Sequence, residues 1–439
     1  MRVRLVRDWG FLLLLLLLGL VFFVRNANLR IASDDAAWLQ GQAPTVFDQY
    51  RKIPRLFFVS LHTLFGPSAV AALSMIFFFH ALNGVLVYHL GRELLEDRIA
   101  ALIATAVFLI NPITLGTLTW ISCFSYVLGT TLALLALLAF LQGVRWPARV
   151  RFLWLVLGLI CFGAGLFCTH EIFFLSLVFL VLSWLRGQTT WGAALCAVAM
   201  VLALMVNHLV YGFDRYGIET LRLFDLDFAL AYASSGMASG AALSLAYPLS
   251  FFARPLDFLR ISFDEPIRWG LTAIILAVGV ALYRNNRVWR LRLALVLAFL
   301  GLITPYIIRL YLTPGLVNFH VSYLLSGRVF YLPFAILALP FGHLISRLYR
   351  ALQDRSWAWI LFLPPLLAFA HALSLYDRND FLGLNVIRGV SLQMPPPWNP
   401  FTVQHPGWLL LPSLAVILAV TVRLCILRRT RSRQSADRS

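Results

Sequence analysis

Charge is what this chain has least of. Only 13% of its 439 residues are Asp, Glu, Lys or Arg, and 61% are hydrophobic, whereas a soluble domain carries about a quarter charged residues. Lysine is almost missing, since of 36 basic residues all but Lys52 are Arg. Cysteine is sparse and odd in number: Cys123, Cys161, Cys168, Cys196 and Cys425. No pair has metal-ligand spacing, so these residues read as buried apolar fillers rather than disulfides or zinc ligands. A P-loop and a Gly-x-Gly-x-x-Gly turn between strand and helix are both lacking, which argues against nucleotide chemistry. Internal repeats and low-complexity linkers are lacking too.

Long hydrophobic runs fill the space. Apolar segments recur along the whole chain, each long enough or nearly so to cross a hydrocarbon core of about 30 Å. The expected spans are 9–24, 68–90, 99–112, 123–142, 152–168, 171–185, 191–211, 267–283, 293–311, 329–346, 357–375 and 407–427. The expected fold is therefore an all-α polytopic membrane protein of about twelve transmembrane helices. The first span has the charged start of a signal peptide but no A-x-A site, so it is expected to stay as a helix.

A net charge of +17 raises the question of nucleic acid, and its placement answers it. With the N-terminus inside, short inside segments hold Arg92 and Arg98, then Arg145, Arg149 and Arg151, then Arg186. Arg284, Arg287, Arg290 and Arg292 follow, then Arg347, Arg350 and Arg355, and finally the basic tail 428–439. This is the positive-inside pattern, with both ends cytoplasmic, and it accounts for the charge without nucleic acid. Residues 1–427 form a single transmembrane domain in this reading. Its long outside segments, 25–67, 212–266 and 376–406, share one aqueous face. Long connections in a compact protein are more often functional than not.

Asp34 and Asp35 stand on that face, just beyond the first span. Ionised acids at a membrane mouth are costly and usually have a task. The plain alternative is an N-cap for a helix starting at Ala36, which accounts for one Asp and gives no reason for two. Nearby, VFDQYRKIPRLFFVSLHTLF sets Arg51, Lys52 and Arg55 beside Phe57, Phe58, Leu61 and Leu64. That mixture suits an interfacial helix with its cations at phosphate level.

Taken in order, several stretches resemble a known family. They are SDD (33–35), YRKIPRLFF (50–58), HALNGVLVYHLGREL (80–94), NPITLGTLTWISCFSYVLGTTLALLALLAFL (111–141), FCTHEIFFLSLVFLVL (167–182) and SGRVFYLPF (326–334). With an outward Asp pair after the first helix, they resemble the GT-C class of polyprenol-phosphate-dependent glycosyltransferases. Within it, the likeness is to the membrane half of the transmembrane and tetratricopeptide-repeat O-mannosyltransferases, without the repeats. Two departures leave the sugar and the acceptor unassigned. Cys123, Phe124, Ser125 and Tyr126 stand where the family has Gly-Arg-Ala-Asp, and Thr114, Leu115 and Gly116 stand where it has His-x-Glu.

The resemblance implies a GT-C-like bundle with interfacial helices on its outside face. It also implies transfer of a sugar from a polyprenol-phosphate donor to a hydroxyl of a glycan, lipid or protein. Such a donor needs no nucleotide, because its phosphate is already a leaving group. A carboxylate must take the hydroxyl proton, and cations must hold the lipid phosphate. Asp34 and Asp35 are the catalytic candidates. Asp34 is the first choice for the base, with Asp35 orienting the acceptor or sharing the proton, the reverse order being open. Arg328, at the outside end of span ten where Arg has no topological purpose, is the first phosphate candidate, followed by Arg51, Lys52 and Arg55. The cluster at 51–55 equally fits ordinary lipid head groups.

His170 and Glu171 start span six at the outside mouth, where Glu171 fits a site role and a dipole-favoured helix start equally. Asn318, His320 and Tyr331 are further substrate-site candidates. His80 and Asn83, at i and i+3, read as interhelical hydrogen bonding. No metal ligand set is assigned, and a divalent ion is not indicated. The expected location is a bacterial inner membrane, with the site facing the periplasm. A transporter or flippase of lipid-linked or small solutes is the competing class. It usually shows two similar halves and midplane charges; here the halves are dissimilar and the acids lie at outside ends.

Overall fold

The computed structural model describes residues 33–41, 51–110, 114–118, 121–145, 148–169 and 331–352, with isolated positions elsewhere. Every regular element among the described residues is helical. In chain order these are α1 (Ser33–Leu39), α2 (Lys52–Phe65), α3 (Ala69–Leu95), α4 (Arg98–Ile110), α5 (Leu115–Leu118), a 3₁₀ turn (Ile121–Cys123), α6 (Phe124–Arg145), α7 (Ala148–Leu166) and α8 (Tyr331–Leu352). The expected spans 68–90, 99–112, 123–142, 152–168 and 329–346 thus correspond to α3, α4, α6, α7 and α8. Those at 9–24, 171–185, 191–211, 267–283, 293–311, 357–375 and 407–427 lie outside the described residues, isolated positions apart.

Local chemistry sets the ends of α2 and α3. Gly66 stops α2 at φ 65 and ψ -162, an extended positive-φ conformation that is essentially confined to glycine. Ser68 then caps α3, its side chain accepting from the Ala71 N–H, a favoured N-cap arrangement. The 27 residues of α3 reach about 40 Å at 1.5 Å per residue. Segments Ala69–Leu95 and Ile121–Gly143 are both long and apolar enough to cross a membrane. On the outward sides of α3 and α7, Phe78, Phe152, Leu153 and Ile160 are 61–67% exposed. A helix such as α7, with apolar side chains outside as well as inside, has no water-facing side and suits hydrocarbon.

The helices α6 and α7 form a hairpin, α3 packs between α6 and α4, and α8 lies mainly against α4. Close approach of α8 to α4 depends on Gly342. A Cβ added there would meet the Ala100 carbonyl oxygen and the backbone and side chain of Ala104 at less than real contact distance. Backbone cannot give way as a flexible side chain can. The Gly342→Ala variant is therefore expected to lose about 1–3 kcal/mol of stability through overpacking, read as a lower midpoint of thermal unfolding in detergent.

Polar joints tie α8 down at both ends. At one end Asp97 Oδ1 accepts from the Ile99 N–H at 3.0 Å and pairs with Arg350 at 2.7 Å, while Oδ2 accepts from Ser346 Oγ at 2.8 Å. At the other end the Tyr331 hydroxyl meets His80 Nδ1 at 2.6 Å, and His80 Nε2 meets the Leu109 carbonyl at 3.2 Å. A carbonyl can only accept, so Nε2 carries the proton and Tyr331 donates to Nδ1. Asn83 Nδ2 donates to the Val127 carbonyl at 3.0 Å and to the Tyr331 hydroxyl at 3.4 Å. Interhelical bonding is thus the role His80 and Asn83 have, and it joins α3, α4, α6 and α8. Alternation of helix direction puts the Arg-rich ends of these helices at the Asp97 end of the bundle. The ends bearing α1 and α2 are opposite.

Candidate functional site

The site is built where α1 and α2 cover the start of α6. Helix α1 begins at Ser33, so Asp34 and Asp35 lie inside its first turn. The cap for a helix starting at Ala36 is corrected by this boundary. Acids in a first turn are favoured by the helix dipole, but for Asp35 that is the smaller part of the account. Asp35 is buried, and its Oδ1 accepts from the backbone N–H of Ser122 at 2.8 Å, 87 residues along the chain.

Arg51 reaches the backbone of the same residue, at its carbonyl. Its Nη1 donates to the Ser122 carbonyl at 2.7 Å, and its guanidinium lies over the Tyr126 ring at 5.6 Å. The N–H belongs to the Ile121–Ser122 peptide and the C=O to the Ser122–Cys123 peptide. The two side chains thus make charge-assisted bonds to the consecutive peptide groups on either side of Ser122.

Packing holds this arrangement in register. Phe124, immediately after the 3₁₀ turn, meets Phe57, Phe58 and Phe79 with ring centroids 5.4–5.6 Å apart. Trp38, one turn beyond Asp35, packs on Phe58 at 5.0 Å. Each such tilted or edge-on pair adds about 0.5–1.5 kcal/mol beyond burial. The His62 ring bonds the Leu39 carbonyl at 2.9 Å and so ties the end of α1 to α2. Three buried polar atoms in this region, Trp38 Nε1, Ser122 Oγ and Ser125 Oγ, have no hydrogen-bond partner among the described residues.

The expected cation cluster is divided by the helix. Arg51 is turned inward to Ser122, Lys52 is exposed, and Arg55 is half-buried. Exposed Leu56, Val59, Leu64 and Phe65 share α2 with Lys52, the composition of a helix lying in an interface. Tyr331 is fully buried in the His80 cluster, so a substrate contact would require it to leave that joint. His170, Glu171, Asn318, His320 and Arg328 lie outside the described residues. No group of three or more His, Cys, Asp or Glu able to hold a metal ion occurs among the described residues. Ser122 and Tyr126 were not singled out by sequence, because a peptide bond recognised from 87 residues away has no local signature.

No family model matches the chain, and no curated protein matches it. Among solved structures it is similar to ArnT from Cupriavidus metallidurans bound to undecaprenyl phosphate, at 14% identity and a TM-score of 0.34, over 78% of this chain and 80% of that one. A superposition at this level does not establish a common fold.

Proposed function

We propose that this protein is a membrane glycosyltransferase that moves a sugar from a polyprenol-phosphate donor to an acceptor hydroxyl. An aspartate serves as base, and the anomeric centre inverts. The carrying observation is the buried Asp35 carboxylate, bound to the Ser122 peptide beside Arg51, at the end of the bundle away from the Arg-rich helix ends. Charge is scarce in this chain, and a carboxylate and a guanidinium both spent on the backbone of one residue is a costly arrangement in apolar surroundings. The donor needs no nucleotide site, in keeping with the lack of a phosphate-cradling loop in the sequence. Lys52 and Arg55 on α2, together with Arg328, are assigned to the lipid phosphate, and the acceptor approaches from the periplasmic side. The test is incubation of the purified protein with polyprenyl-phosphate sugars, following release of polyprenyl phosphate. Release that requires an acceptor supports the reading, and no release from any donor overturns it.

The same proposal fixes topology. Single cysteines at Ser33, Ser235, Asn385 and Ser432 in a cysteine-free background are to be treated with an impermeant thiol reagent. The first three are expected to label in intact cells and the fourth only after lysis. Labelling at Ser432 from outside would contradict both the topology and the outward site.

A further inference from the structure

We propose that the acid pair divides its labour, with Asp35 and Arg51 as positioning residues that grip the Ser122 turn from both sides and Asp34 as the general base. This deepens the sugar-transfer reading and rests on it. A general base must present a lone pair to the hydroxyl it deprotonates, within hydrogen-bond reach. Asp35 is only 1% exposed, and its Oδ1 already accepts the Ser122 N–H. Arg51 is likewise committed, to the Ser122 carbonyl and the Tyr126 ring, which moves phosphate binding to the other cations. Asp34 occupies the neighbouring position of α1, about 100° around the helix at 3.6 residues per turn. In the transfer step the acceptor oxygen forms a bond to the anomeric carbon as the bond from that carbon to the phosphate oxygen breaks. The hydroxyl proton passes to the Asp34 carboxylate, and the electron pair leaves with polyprenyl phosphate.

The grip has a function beyond folding. It fixes α1, and with it the backbone of Asp34, against the start of α6, so that a shift of the Ser122 turn displaces the base. Proximity of this kind is steep, since a displacement of about 1 Å can cost about 10²-fold in rate.

The Asp35→Asn and Asp35→Ala variants separate the two roles, with Asp34→Asn as comparator. Asn keeps an oxygen that can accept from the Ser122 N–H, whereas Ala keeps none. Asp35→Asn is expected to lose no more than about tenfold in kcat, against a loss of about 10²–10⁴-fold when a general base is removed. The acidic limb of its kcat/KM profile should stay in place. Asp35→Ala is expected to fall well below Asp35→Asn in kcat and to unfold at lower temperature in detergent, while Asp34→Asn should unfold as wild type does. For Arg51→Lys, a fall in kcat with an unchanged donor KM is the expected split.

Loss of activity in Asp35→Asn as deep as in Asp34→Asn, with wild-type unfolding, would overturn the division of labour. So would equal unfolding temperatures for Asp35→Asn and Asp35→Ala. If wild type releases no polyprenyl phosphate while the unfolding difference persists, the glycosyl-transfer reading fails and the structural grip is upheld.

Discussion

The Asp34→Asn variant is expected to lose about 10²–10⁴-fold in kcat for polyprenyl phosphate release, the range for removal of a general base, with expression and thermal unfolding unchanged. The substitution keeps shape and removes the ionisable oxygen. An alcohol is a weak nucleophile until its proton is taken. Acids are few, and those given a structural part are occupied: Asp35 by the Ser122 peptide, and Asp97 by Ser346, Arg350 and the start of α4. A fall in kcat with little change in the KM of either substrate separates loss of the base from loss of binding. Full activity in Asp34→Asn and Asp35→Asn alike would remove the pair from catalysis.

The second large effect is expected at Arg328. Arg328→Ala should raise the apparent donor KM by about 10–100-fold, since a hydrogen bond to a charged group contributes about 1.5–3 kcal/mol and about 1.4 kcal/mol is a factor of ten in affinity. Arg328→Lys should keep the charge but lose the planar fork, and so fall between wild type and Arg328→Ala. Initial rates across a titration of polyprenyl-phosphate sugar check this. Unchanged donor affinity in Arg328→Ala would remove the residue from the phosphate site and leave Lys52 and Arg55 of α2 in that role.

Among the described residues the helices were legible in the sequence, because their causes are local. The apolar run after Ser68 placed α3 within a few residues, and the mixture of cations and aromatics at 50–65 marked α2. His80 and Asn83 were legible as well. Two polar residues at i and i+3 inside an apolar span need partners on other helices, and they find them in Tyr331, the Leu109 carbonyl and the Val127 carbonyl.

The site was legible only in part. The Asp pair stood out because acids are rare here, and sequence put Asp34 first as base, but it turned Asp35 to the acceptor rather than to the backbone. What distinguishes Asp35 is the peptide of Ser122, and contact order of that size leaves no pattern at either end. Arg51, Lys52 and Arg55 looked like one cluster on paper. Arg51 is the non-helical N-cap and turns to the site, while Lys52, the first residue of the helix, stays exposed. The joint of Asp97 with Ser346 and Arg350, 249 residues apart for Asp97 and Ser346, was hidden for the same reason as the Ser122 grip.

Transfer against transport is the most direct test of the central claim. The full-length protein is reconstituted in vesicles with a polyprenyl-phosphate sugar labelled at the anomeric carbon, and an acceptor is supplied on the outer face. Lipid phosphate, anomeric configuration and the leaflet of intact donor are followed together. The account predicts one polyprenyl phosphate released per sugar transferred, an inverted anomeric centre, and both products formed about 10²–10⁴-fold more slowly with Asp34→Asn. Intact donor moving between leaflets, with no phosphate released, would contradict it and identify a flippase instead.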